Sequence, residues 1–157
     1  MLSVFFMLFS CVSFAQTASE DAMCKKLETF YKEYYRLAMS DEPNDYTDGL
    51  IKLIKKYCTK EFAERIEYDQ LNGVGLDFIM DEHVDCSYIS TLSISKSDKY
   101  YKVSFDADIP DVNGKKTKKK VILAVYLKDG LVDDVDELQG WEQWSEKKPV
   151  HREFLWC

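Results

Sequence analysis

Over residues 17–39 the apolar positions Met23, Leu27, Phe30, Tyr31, Tyr34 and Ala38 recur at helical spacing, with Lys25, Lys26, Lys32, Glu33 and Arg36 on the opposite face. Thr17 and Glu20 stand three apart, where a hydroxyl and a carboxylate can each satisfy a free backbone N–H, so the helix is predicted to start there. Ser40-Asp41-Glu42-Pro43-Asn44 ends it. Leu50, Ile51, Leu53, Ile54 and Tyr57 predict a second helix beginning near Thr47, with Lys55 and Lys56 at the end where the helix dipole favours cations. Thr59 is placed to cap a short third helix with Phe62, Ala63 and Ile66 inward. Asn72-Gly73 and Gly75 mark residues 69–86 as a loop with at most one helical turn.

From Cys86 the period changes to two. Tyr88, Leu92 and Ile94 alternate with polar residues, and Lys96-Ser97-Asp98-Lys99 turns the chain. Tyr101, Val103, Phe105, Ala107 and Ile109 form one face of a second strand, with Lys102, Ser104, Asp106 and Asp108 on the other. Pro110 and Asn113-Gly114 break it; Val121, Leu123, Val125 and Leu127 make a third. Asp129-Gly130 is a two-residue hairpin signal, and the acidic stretch Leu131–Leu138 returns as an edge or partial strand. Helices followed by antiparallel strands define an α+β domain, here with N-terminal helices packed on a curved sheet of about four strands. The tail from Gly140 to Cys157 carries Trp141, Trp144, Phe154 and Trp156, rings costly to leave in water, so some are expected to pack on the sheet.

Residues 2–15, LSVFFMLFSCVSFA, lack any charge and fall short of the roughly 20 residues a membrane-spanning helix needs. Ser13-Phe14-Ala15 fits a small-x-small cleavage site. Residues 1–15 therefore read as a secretory signal without a basic leader, and residues 16–157 as one domain, periplasmic or secreted. The alternative is a lipoprotein acylated at Cys11, although bulky Phe9 fits a lipid-attachment motif poorly.

Export gives the remaining cysteines, Cys24, Cys58, Cys86 and Cys157, a disulfide-permissive setting. Antiparallel packing of the first two helices would bring the start of one beside the end of the other, which favours Cys24–Cys58 and leaves Cys86 with Cys157. No CxxC pair and no zinc-type Cys/His spacing occurs.

The chain has 157 residues, 28 acids against 21 bases, and a formal net charge of −7. That balance disfavours binding along a phosphate backbone, so no nucleic-acid partner is expected. Lys115, Lys116, Lys118, Lys119 and Lys120 form the sharpest charge feature, placed at a hairpin tip as a candidate partner surface or as a solvated loop. Asp81, Glu82, His83 and Asp85 mix carboxylates with imidazole but read as an exposed acidic loop, so neither a metal nor a cofactor is expected. No GxSxG occurs and there are only two His, so hydrolase chemistry has no visible apparatus.

The Tyr- and Phe-rich first helix, the segment KYCTKEFAERIEYD (56–69) and the closing hairpin LKDGLVDDVDEL (127–138) resemble an exported bacterial family of unknown function within the nuclear-transport-factor-2-like, or cystatin-like, superfamily. The resemblance covers roughly residues 22–138. It implies a sheet wrapped around helices as a cone, often with a pocket between helix 1 and the sheet, and with the sheet-to-sheet homodimers that occur in the superfamily. Tyr31, Tyr34, Tyr35, Tyr57 and Asp106 are the candidate lining of such a pocket. Relatives commonly carry an aromatic before the apolar residues of the last strand, whereas here that strand reads Leu131-Val132-Asp133-Asp134-Val135 and is acidic.

Together these features predict a small exported, non-enzymatic domain that binds another protein, with an immunity-type inhibitor of a cell-envelope toxin as a specific version. The alternative is a cone that binds or transforms a small ligand in its interior.

Overall fold

The computed structural model describes residues 5–42, 48–71, 79–80, 87–110 and 115–139. Three helices, α1 (Phe5–Ala38), α2 (Leu50–Tyr57) and α3 (Lys60–Leu71), pack on one face of an open antiparallel sheet. The strands are β1 (Ser87–Lys96), β2 (Tyr101–Pro110), β3 (Lys116–Lys128) and β4 (Leu131–Gln139), in the order β1-β2-β3-β4. This is the expected α+β class. The loop cluster Asp81–Asp85, the cysteines Cys86 and Cys157, and the aromatic tail lie outside the described residues.

The core forms where the helical stripe meets the inward parity of the strands. Leu27, Phe30 and Tyr31 from α1 meet Val103, Phe105, Ala107 and Ile109 of β2 and Val121, Leu123 and Val125 of β3, all at 2% exposure or less. Ile79 and Met80 are fully buried as well, so part of the segment predicted as a loop supplies core.

α1 does not begin at Thr17 but continues from Phe5, because the uncharged run before it contains no breaker and can propagate a helix. The junction of α2 and α3 behaves as Thr59 predicts. Its Oγ1 accepts from the Phe62 N–H at 3.3 Å and donates to Asp133 Oδ1 at 2.9 Å, while its own N–H donates to the Val132 carbonyl at 2.8 Å. Cys58 bridges Val132 in parallel, which covers that part of the β4 edge. Thr59 thus joins a helix cap to a strand edge. Thr59→Ala should lose about 2 kcal/mol, from the lost cap and the charge-assisted bond, whereas Thr59→Ser should recover most of it. Urea denaturation checks this, and an alanine variant as stable as the parent would rule out the joint in solution.

Asp129 and Gly130 both have positive φ, 54° and 76°, as a type I′ hairpin turn requires. Lys26 Nζ donates to the Gly130 carbonyl at 2.8 Å, so α1 clamps the β3–β4 hairpin.

Two strand predictions need correction. The lysine run is not a hairpin tip, because Lys116–Lys120 is the first half of β3. Register sets Lys120 opposite Asp106 and Lys118 opposite Asp108, and opposite charges across a pair support a strand that five near-consecutive cations would otherwise disfavour. Tyr88 does not share the inward face of Leu92 and Ile94. The β1–β2 register shifts between Tyr88 and Ser93, where Thr91 Oγ1 donates to the Tyr88 carbonyl at 2.7 Å and accepts from the Asp106 N–H at 2.8 Å. That bulge turns Tyr88 outward.

The Cys24–Cys58 disulfide is also corrected, since both are free thiols. Cys58 lies outside β4 at Val132, whereas the charge of Lys96 and the phenol of Tyr101, at the β1–β2 hairpin, act on Cys24. A disulfide allows only roughly 4.4–6.8 Å between Cα atoms. α2 is simply too short. Tyr57 stacks on Phe30, six residues and about 9 Å along the axis beyond Cys24.

Candidate functional site

The helical face of the sheet is spent on the core, so the sheet's chemistry lies on its outer face. Strand parity puts Asp106 and Asp108 of β2 there, beside Lys118 and Lys120 of β3. Lys120 Nζ is 3.6 Å from Asp106 Oδ1. The Tyr88 hydroxyl donates to Asp108 Oδ2 at 2.5 Å, and Lys118 Nζ stands 4.0 Å from the centroid of the Tyr88 ring. Two carboxylates, two ammonium groups and a phenol are thereby fixed on three paired strands.

Beyond this ladder the face flattens. Ser104 and Ala124 are small and buried by their neighbours, with half-buried Ile122 between the charged rows. At the far end Tyr100 and Tyr126 meet edge to face at 5.9 Å. Burial pushes the Tyr126 phenol above its ordinary range, and Asp136, through its charge and by accepting from the hydroxyl, adds to the shift. Asp134 pairs with Arg65 of α3. The acidic β4 is therefore a full strand, with Asp133, Asp134 and Asp136 each engaged by another element.

The proposed pocket residues do not converge. Tyr31, Tyr34 and Tyr57 are core, at 0%, 5% and 8% exposure, and Phe30 stacks on Tyr57 at 5.1 Å. Tyr35 is half-buried against that core. Asp106 is on the opposite side of the sheet, paired with Lys120. The space a cone pocket would occupy is filled by Phe30, Tyr31, Phe105, Ile79 and Met80. A recess between α2 and α3, lined by Ile51, Ile54, Ala63 and Ile66, measures about 10 Å³, room for at most one water. Among the described residues no group of three or more His, Cys, Asp or Glu could hold a metal, and no helix is long and apolar enough to cross a membrane.

Tyr88 and Asp108 were missed as site residues. Asp108 shares the parity of Asp106 and could have been included on that basis. Tyr88 carries no local sign that a bulge reverses its face.

No family model and no curated protein matches the chain. Among solved structures it is similar to a protein of unknown function from Bacteroides thetaiotaomicron VPI-5482, at 21% identity and a TM-score of 0.57, covering 82% of this chain and 98% of that one. That likeness establishes a shared fold. A de novo designed β-sheet protein aligns at 10% identity and a TM-score of 0.47, over 83% of this chain and 99% of that one.

Proposed function

We propose that the chain is an exported, non-enzymatic binding domain of the nuclear-transport-factor-2-like type that recognises another protein through the outer face of its sheet. The observation that carries this reading is the ladder of Tyr88, Asp106, Asp108, Lys118 and Lys120. Charges of both signs, held by paired strands, discriminate among protein surfaces and repel wrong partners. A phosphate backbone would meet as much repulsion as attraction there. The filled interior takes support from the ligand-cone alternative. Inhibition of a toxin in the cell envelope is the specific version of the role, and the uncharged N-terminal run supports export.

The test is a pair swap, Asp106→Lys with Lys120→Glu. It keeps an ion pair across β2 and β3, so stability should change by no more than about 0.5 kcal/mol. It exchanges the two signs on the face, so affinity for the partner captured from native cells should fall about tenfold or more. Sedimentation of the purified chain belongs to the same experiment, because a dimer that the swap dissociates would identify the partner as a second copy. Unchanged capture by the swapped protein, or turnover of a small molecule by the parent, would defeat the reading.

A further inference from the structure

A second surface carries the opposite electrostatic character from the molecule as a whole. α2 holds Lys52, Lys55 and Lys56 and no acid in its eight residues, within a chain of net charge −7. Lys55 turns toward α3, 3.3 Å from Glu67. Lys52 and Lys56 line an open groove of about 310 Å³ between α1 and α2, the Lys56 ammonium standing 5.0 Å from the centroid of the Tyr57 ring. Arg36 and Glu33 form its opposite wall, joined at 2.9 Å, and Leu37 and Leu53 form its floor. Both oxygens of Glu33 hold Arg36, so among the described residues Lys52 and Lys56 supply the positive charge of the groove. Among the described residues no carboxylate pairs with Lys52 or Lys56.

From this arrangement we propose that the groove between α1 and α2 docks an acidic segment of a partner protein, with one apolar side chain over Leu37 and Leu53 and carboxylates on Lys52 and Lys56. The inference rests on the reading of the chain as a protein-binding domain and names a surface distinct from the sheet face.

Spacing and shape both favour this occupant. Lys52 and Lys56 are one turn apart, about 6 Å along the axis. Carboxylates at i and i+4 of a helix repeat at that distance, and those at i and i+2 of an extended strand nearly so. The volume is at the bottom of the range for small-molecule sites, and the groove is open along its length, so it cannot enclose most of a small ligand's surface. Side chains projecting from a partner need no such enclosure. A lipid surface is flat and would meet the rim while leaving the Leu37 and Leu53 floor unused. Because the rim is exposed, binding should weaken strongly with salt.

The experiment uses the full chain, isotope-labelled, and a synthetic 14-residue helix with Glu at i and i+4 flanking a central Leu. A peptide with Gln for every Glu is the control. Amide shifts are expected at Leu37, Gly49, Lys52, Leu53 and Lys56. Affinity should fall at least tenfold for Lys52→Glu/Lys56→Glu, for the Gln peptide, and between 0.05 and 0.5 M salt. Lys52→Gln/Lys56→Gln provides a milder variant in case charge reversal disturbs α2. Absence of binding, equal binding of the Gln peptide, shifts centred on Lys116–Lys120, or preferential binding to phosphatidylglycerol vesicles would each overturn the proposal. If the groove fails while the Asp106/Lys120 swap still releases the partner, the binding-domain reading stands without this site. If the swap does nothing while the groove variants lose binding, the sheet-face reading falls alone.

Discussion

Phe30→Ala should destabilise the protein by about 3–5 kcal/mol, the range for truncating a fully buried aromatic. Phe30 has no exposed surface, and its ring meets three others: Tyr31 edge-on at 5.4 Å, Tyr34 at 6.2 Å and Tyr57 stacked at 5.1 Å. The first two belong to its own helix and the third is the last residue of α2, so one side chain fastens α2 to α1. Alanine removes the transfer energy of the ring, leaves a cavity that the surrounding helices and sheet can close only partly, and forfeits the ring contacts. For a chain of this size the melting temperature should fall by roughly 10 °C. Met39→Ala is the control: Met39 is 46% exposed at the end of α1, and its loss should cost within about 0.5 kcal/mol. A Phe30→Ala variant losing under about 1.5 kcal/mol would mean that the α1–α2 contact is not formed in solution. The groove floor of Leu37 and Leu53 lies on the same pair of helices, so the variant should also weaken any ligand of that groove.

Much of this fold is legible because its determinants are local. The inward parity of Tyr101 to Ile109, the Asp129-Gly130 turn and the Thr59 cap each depend on residues within a few positions of one another. What escaped is what depends on partners distant in sequence. Lys116–Lys120 looks like a solvated loop until Asp106 and Asp108 stand across from it. The acidic β4 is the edge strand that its charges predict, but that it runs its full length depends on Thr59, Arg65 and Tyr126, which engage its carboxylates. Tyr88 follows the wrong parity because Thr91 folds a bulge by accepting from the Asp106 N–H of the paired strand, 15 residues on.

The candidate site was less legible for the same reason. Four of the five expected pocket residues are aromatic, and aromatic periodicity marks a buried face without saying whether that face encloses a ligand or packs solid. Here it packs solid. The groove between α1 and α2 needs residues from two helices, and nothing in the spacing of Lys52 and Lys56 alone indicates that Arg36 stands opposite.

Cys58 should resist alkylation far more strongly than an ordinary thiol. It is 2% exposed at the joint between α2 and β4, and burial pushes its thiol from the ordinary 9.0 up to about 12. The thiolate is the reacting species, so at pH 8 the native protein should label at Cys58 on the order of 1,000-fold more slowly than the unfolded chain, before steric protection is counted. Cys24 is the internal comparison. Burial also raises its thiol, ahead of the charges of Asp21 and Glu20, but it is only half-buried and should label first. The same shift predicts an alkaline limit to stability. Below pH 9 the Cys58 thiol keeps its proton in both states and contributes nothing to the pH dependence. Above pH 9 the unfolded chain releases that proton while the native protein holds it, so unfolding gains ground steadily until about pH 12. By pH 11 the loss should reach about 2–3 kcal/mol. Cys58→Ala removes the titrating group, so its stability should fall less between pH 8 and pH 11 than that of the parent, by that amount. Parallel pH profiles for the two proteins, or native labelling of Cys58 as fast as Cys24, would show that the α2–β4 joint opens to water far more readily than its packing implies.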